Sequence, residues 1–233
     1  MSLPAKFPRP VLCYVTDRHS LTLSPEIDSS HWLLQVIETA AAAGVDWIQI
    51  REKDLSDRDL AWLTQEALRR TAWLTGSERK SPRIIVNDRL NVVIEERAGG
   101  AHLGESRLPL KKIHQALDEN SSAQPSESRP IIGVSCHSLQ TAISAAGDHA
   151  DYLIFGPIFS TPSKAIFGPP QGLDRLAEVC GSVKIPVLAV GGITLENAAS
   201  CLAAGAAGLA AIRLFQDATD LPRVVRALRN LAV

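Results

Sequence analysis

The segment DWIQIREKDLSDRDLAWLTQEALRRTAWLTGSERKSPRIIVND, Asp46 to Asp88, contains one full round of the pattern that decides the fold. Its first piece sets Gln49, Arg51 and Lys53 at every second position, with Ile48, Ile50 and Glu52 between them. In a strand, residues two apart share a face, so the three polar groups converge while the isoleucines pack on the other side. The spacing predicts an anion clamp, or alternatively the plain solvent face of a half-buried strand. The second piece, from Asp57, has helical spacing and stops at Gly76, a C-cap signal. The third, RIIVND from Arg83, is strand again.

The same alternation extends both ways. Strand-like runs recur as VLCYVTD from Val11, GAHLG from Gly100, IIGVSCH, DYLIFGP, IPVLAVGG and AGLAAIRLF. Helical text lies between them, as in HWLLQVIETAAAAG ending on Gly44 and LENAASCLAAGA stopping near Gly205. Near-continuous apolar strands alternating with helices argue for a parallel sheet. About eight such units predict a (β/α)₈ TIM barrel, one domain spanning 1–233. A doubly wound open sheet is the alternative, weakened because no GxGxxG follows the first strand.

Composition excludes several classes. Lys and Arg number 24 against 25 Asp and Glu, so no global field gathers nucleic acid or anionic lipid, and an anion must be recognised locally. No apolar stretch reads as a signal peptide or a membrane span, and the expectation is a cytoplasmic protein. Cys13, Cys136, Cys180 and Cys201 form no CxxC pair and are expected reduced and mostly buried.

Two polar stretches, ENSSAQPSESRP from Glu119 and TGSERKSP from Thr75, each precede a strand and read as loops on the face away from the chemistry. The long FSTPSKAIFGPPQG segment follows the sixth strand and so falls on the active face. Polar residues also collect at the C-terminal ends of strands: Thr16 and Asp17, Gln49, Arg51 and Lys53, Asn87 and Asp88, His102 and Glu105, Ser135 and His137, Thr161, Ser163 and Lys164, and Arg213. Gly191 and Gly192, just before helical text, suit a phosphate on free backbone N–H groups, though a tight turn also wants glycine. Asp88 beside Asn87 suits Mg²⁺ or equally a helix N-cap, and His137 suits an acid–base role or a structural one. Together these residues imply a site for two anionic groups.

The stretches YVTDR, IQIREKD, VNDRLNVV, GAHLG, IGVSCHS, ADYLIFGPIFSTPSK, PVLAVGGIT and AGAAGLAAI resemble the thiamine phosphate synthase and TenI family, from Val11 to about Gln216. The resemblance implies a TIM barrel and, in the synthase branch, coupling of hydroxymethylpyrimidine pyrophosphate to hydroxyethylthiazole phosphate with release of pyrophosphate. Its implied partners are small phosphorylated substrates, without nucleic acid or membrane, and a homo-oligomer is open. By motif, Gln49, Arg51, Lys53, Asn87 and Lys164 contact the pyrophosphate, and Ser135 lies near the pyrimidine. Thr161, Ser163, Gly191, Gly192, Ile212 and Arg213 hold the thiazole phosphate. Arg51, Lys53, Ser135, His137 and Lys164 are the implied catalytic set, with Mg²⁺ as cofactor on Asp88.

Two departures stand out. The synthase branch follows HLG with a glutamine and two acidic residues, whereas this chain has Glu105, Ser106 and Arg107, so Glu105 is the candidate for the missing metal carboxylate. Arg213 replaces a small serine near the thiazole phosphate. Both departures are similar to the TenI branch, whose thiazole tautomerase chemistry would use His137 as acid and base without metal. Retention of Gln49, Arg51, Lys53, Asn87, Asp88 and Lys164 favours the synthase. A non-catalytic precursor-binding protein is the third alternative.

Overall fold

The computed structural model describes residues 10–21, 28–72, 81–105, 109–120, 129–161 and 169–231. Eight strands alternate with helices: β1 Val11–Val15, α1 Ser29–Ala43, β2 Trp47–Ile50, α2 Asp57–Thr71, β3 Arg83–Asn87, α3 Leu90–Glu95, β4 Gly100–Leu103, α4 Leu110–Asn120, β5 Ile131–Cys136 and α5 Leu139–Gly147. The series ends with β6 Tyr152–Phe155, α6 Gly172–Ser182, β7 Val187–Val190, α7 Leu195–Ala203, β8 Gly208–Ala211, α8 Arg213–Gln216 and α9 Leu221–Arg229. All strands are parallel, each pairs with the next, and β8 returns to β1 with Val11 opposite Gly208, closing the barrel. The open-sheet alternative is thereby excluded.

Closure explains why the strands read as continuous apolar text. Both faces are buried. The outward face, including Ile48, Ile50, Ile84, Val86, Leu153 and Phe155, packs against Leu33, Leu34, Ile37, Leu60 and Leu63 of the first two helices and their counterparts round the ring. The inward face, including Cys13, Trp47, Ile85, Tyr152, Ile154 and Leu188, fills the barrel interior. A one-residue slip in any strand would exchange the two sets.

Helix ends follow local chemistry. Asp28 caps α1, accepting from the Ser30 and His31 N–H groups, and Gly44 ends it in the left-handed conformation at φ 96°. Gly205, at φ 98°, does the same after α7. The reading of α2 to Gly76 overshoots: the helix stops at Thr71 with Ala72 right-handed, and Gly76 lies outside the described residues. Apolar periodicity does not mark the last turn of a helix. Conversely, α4 runs to Asn120, so the stretch read as a loop from Glu119 begins with the last two residues of the helix.

The N-terminal end of the barrel is a structural clasp. Arg229 of α9 donates to Gly44 O at 2.9 Å and pairs with Asp46 at 2.7 Å, while Asp46 Oδ2 also accepts from Leu12 N–H. Burial pushes the Asp46 carboxyl above the ordinary carboxylate range. All four cysteines are free and three are buried, with burial raising the Cys136 thiol to about 12. Among the described residues no helix is long and apolar enough to cross a membrane.

Candidate functional site

The opening alternation continues through β2 and then changes character. Gln49 points into the barrel between Trp47 and the mouth, is 2% exposed, and donates from Nε2 to Asn87 Oδ1 at 2.9 Å. The β2–β3 register pairs Ile50 with Val86, so Arg51 follows beside Asn87 at the strand ends. Arg51 is half-buried, and its guanidinium meets no partner among the described residues. Lys53 has left the strand and is exposed on a turn, flanking a narrow cleft with Glu52, Asn87, Asp88 and Arg89. Gln49, Arg51 and Asn87 therefore adjoin as expected, with Lys53 beside them on the turn.

Glu52 corrects the simple alternation. It falls on the isoleucine side of the pattern, yet it is a buried carboxylate rather than an element of the apolar core. The strand ends at Ile50, which frees the chain to turn Glu52 toward the loop after β1. There Thr16 Oγ1 donates to Glu52 Oε1 at 2.6 Å, Arg18 N–H donates to both carboxylate oxygens, and Arg18 Nη1 pairs with Oε2 at 3.1 Å. Thr16 Oγ1 in turn accepts from the Arg51 N–H at 3.0 Å. Arg18 also binds Asp54, holding that carboxyl well below its usual range. The network braces the backbone that presents Arg51. A charged residue inside an apolar alternation was its only sequence signal.

Asp88 follows β3 at φ 64°, a left-handed conformation tolerated by Asp because its short side chain can bond locally. Its Oδ1 accepts from Gly104 N–H at 3.2 Å and its own N–H donates to His102 O at 2.9 Å. It is not an N-cap, since α3 begins after Arg89. Glu105, exposed after β4, accepts from the His137 N–H at 3.3 Å. Among the described residues no group of three or more His, Cys, Asp and Glu stands ready to hold a metal.

Ser135 faces inward near the end of β5, within 2.8 Å of His102 Nε2. His137 lies beyond it, exposed, with Nδ1 2.6 Å from Gly156 O, so Nδ1 carries the proton and Nε2 is left as the imidazole acceptor. Gly191 and Gly192 have φ of 95° and 65° after β7. The loop after β6 packs closely on them: added Cβ atoms would lie 2.5 Å from Pro157 and 2.7 Å from Ser160 O. Close approach of that loop, held by Ile158 N–H to Val190 O and Phe159 N–H to Gly191 O, thus requires glycine there. Ile212, half-buried, packs against the interior cluster at the end of β8, and Arg213 is exposed at the start of α8. Thr161 is half-buried at the edge of the described loop, while Ser163, Lys164, Ser106 and Arg107 lie outside the described residues.

A cavity of about 130 Å³ opens beside the Glu105 edge of this site, reaching from Gly104 and Glu105 between the outward-facing Leu103 and Val134 to the helical residues Leu110, Thr141 and Ser144. The polar groups gather where parallel barrels carry their chemistry, at the C-terminal ends of the strands.

A sequence profile described as thiamine monophosphate synthase matches residues 12–215. The chain belongs to the thiamine monophosphate synthase family. Relatives include a protein named thiamine-phosphate synthase from Roseiflexus castenholzii, 34% identical over 98% of this chain and 92% of its own. Another of that name, from Methanocella arvoryzae, is 38% identical over 84% of this chain and 86% of its own. A solved structure titled thiamine phosphate pyrophosphorylase from Pyrococcus furiosus superposes with a TM-score of 0.75 at 28% identity, covering 96% of both chains. A 3-hexulose-6-phosphate synthase matches with a TM-score of 0.66 at 12% identity, which shows the shared barrel alone. Family membership thus agrees with the fold.

Proposed function

We propose that this protein is a thiamine phosphate synthase, a transferase that joins hydroxymethylpyrimidine pyrophosphate to hydroxyethylthiazole phosphate and releases pyrophosphate in the cytoplasm. The observation that carries the reading is the meeting of Gln49, Arg51, Asn87 and Asp88 at adjoining ends of β2 and β3, in a chain whose relatives bear that name. Loss of pyrophosphate from an electron-rich pyrimidine methylene gathers charge on the leaving group, and fixed cations stabilise charge where it develops. Arg51, with its guanidinium free among the described residues, is the principal such cation, joined by Lys53 and by Lys164 of the loop after β6. Proximity of the thiazole nitrogen to the pyrimidine methylene then supplies much of the remaining rate. Thr161, Ser163, Gly191, Gly192, Ile212 and Arg213 bind the thiazole phosphate.

The residues present fit Mg²⁺. Asp88 offers a hard oxygen from an enforced conformation, and Gln49 Oε1 is a buried acceptor with no partner among the described residues. Mg²⁺ is commonly held by one or two carboxylates together with substrate phosphates, so a three-carboxylate cluster is not needed. Asp88 would hold the ion, Glu105 is the second candidate, and the bound ion would supply neutralisation of pyrophosphate charge.

His137 supports a second reading, a thiazole tautomerase, because its Nδ1 is committed to Gly156 O and Nε2 is left to move a proton. The test is to incubate the protein with both precursors, with and without Mg²⁺, and to quantify thiamine phosphate by chromatography. Magnesium-dependent product is expected. Thiazole phosphate binding without product under either condition would overturn the synthase reading.

A further inference from the structure

Below the mouth, three polar side chains form a line through the barrel interior that the roles above leave unexplained. Tyr152, fully buried on β6, sets its hydroxyl 3.1 Å from His102 Nδ1, and His102 Nε2 lies 2.8 Å from Ser135 Oγ. His102 is itself 2% exposed, whereas Ser135 is half-buried. The space for this line is built into the strands. A Cβ on Gly133 would sit 2.0 Å from the Tyr152 ring, and the ring packs against Trp47 with centroids 4.7 Å apart.

The phenol sets the direction of the line. Burial raises the Tyr152 hydroxyl well above its ordinary value, so it keeps its proton. Among the described residues His102 Nδ1 is the hydrogen-bond partner that hydroxyl meets. If Nδ1 carried a proton, the phenolic hydrogen would be stranded in an apolar interior, which costs a full desolvation penalty. Tyr152 O–H therefore donates to Nδ1, and the imidazole is the neutral tautomer with its proton on Nε2. That proton is donated to Ser135 Oγ, and the serine's own hydrogen must turn away from His102.

We propose that His102 and Tyr152 are positioning residues that fix the Ser135 hydroxyl as a hydrogen-bond donor facing the mouth, where it selects an acceptor atom such as a ring nitrogen of the aminopyrimidine. The substrate's identity in this statement rests on the synthase reading, whereas the direction of the line does not. One chemical consequence follows at once. The imidazole nitrogen facing Ser135 already carries a proton and cannot remove the serine's, so Ser135 is not activated as a nucleophile and no serine-linked intermediate forms.

Long-range ¹H–¹⁵N correlation spectra of the labelled protein read the tautomer directly, with the His102 signals assigned by their loss in His102→Gln. A neutral Nε2–H imidazole is expected. An Nδ1–H tautomer or an imidazolium would overturn the proposal whether or not the protein makes thiamine phosphate. In kinetics, Tyr152→Phe should lower kcat/KM for the pyrimidine substrate on the order of tenfold, with the effect vanishing in a Ser135→Ala background. His102→Gln, whose amide can accept at one end and donate at the other, should retain more activity than His102→Leu. Equal losses from Tyr152→Phe in both backgrounds would reduce the line to packing and refute the positioning role.

Discussion

Gln49 donates its side-chain N–H to Asn87 Oδ1 at 2.9 Å while its own Oε1, buried at the end of β2, has no hydrogen-bond partner among the described residues. A buried acceptor left unpaired opposes folding, and a bound donor, cation or water would complete it. The free oxygen suits a donor or a cation. An anion would meet only the second N–H of the same amide.

Replacement of Gln49 by leucine should therefore separate stability from function. It removes the orphaned oxygen along with one hydrogen bond, and Asn87 is half-exposed and open to water. Thermal unfolding should move little, whereas kcat/KM for the pyrimidine substrate should fall roughly 10- to 100-fold through lost contacts to charged groups. Parallel losses in both measurements would assign Gln49 to packing.

Arg51→Ala should lower the coupling rate about 10²- to 10³-fold, because it deletes a fixed cation from the leaving group. Its guanidinium has no partner among the described residues, so the melting temperature should stay near the parent value. Tautomerisation of the thiazole carboxylate phosphate, assayed in parallel, should change little. Equal loss of both activities would mean that Arg51 holds a group common to both reactions.

Glu52→Ala should destabilise the fold by about 2 kcal/mol, since Thr16 Oγ1 and the Arg18 N–H both lose a buried acceptor, while the Arg18 guanidinium keeps only Asp54. Activity should fall as well, because Thr16 would lose the acceptor that orients it toward the Arg51 N–H. Chemical denaturation and steady-state kinetics on the same preparation would show both defects. Glu52→Gln, which keeps an acceptor for Thr16, should be intermediate.

Asp54 gives an acid-limb prediction. Its carboxyl is lowered first by the Arg18 side-chain hydrogen bond, with His19 contributing. A carboxyl whose folded value lies below its unfolded one stabilises the fold above the unfolded value, near pH 4, and loses that contribution as pH falls toward the folded value. Asp54→Asn should thus lower the urea midpoint at pH 6, with the gap to the parent closing below about pH 4. The carboxylate is half exposed, so the gap should be small and should shrink further in salt. A gap that widened on acidification would contradict the sign.

How much of this was legible in the chain varies by element. The strands were readable because a closed parallel barrel buries both faces, and eight short apolar runs alternating with helices favour the barrel over a doubly wound open sheet, which ring closure then excludes. Gly44 and Gly205 marked helix ends because left-handed backbone suits glycine. The Gly191–Gly192 pair was read for its free N–H groups, yet its tightest constraint is the loop from Pro157 to Ser160, a contact between segments some thirty residues apart.

What the sequence determined by itself was therefore periodic and local: strand, helix, cap and the placement of Gln49, Arg51, Asn87 and Asp88 near strand ends. Tertiary structure decided which side chains meet. Glu52 follows the isoleucines in sequence but leaves their face because the strand stops one residue before Arg51. His102, Tyr152 and Ser135 come from three strands, and only ring closure and the β4–β5–β6 register bring them into one line. Periodicity is set by backbone geometry and can be read along the chain, whereas hydrogen-bond partners are set by register between strands and exist only once the barrel has closed.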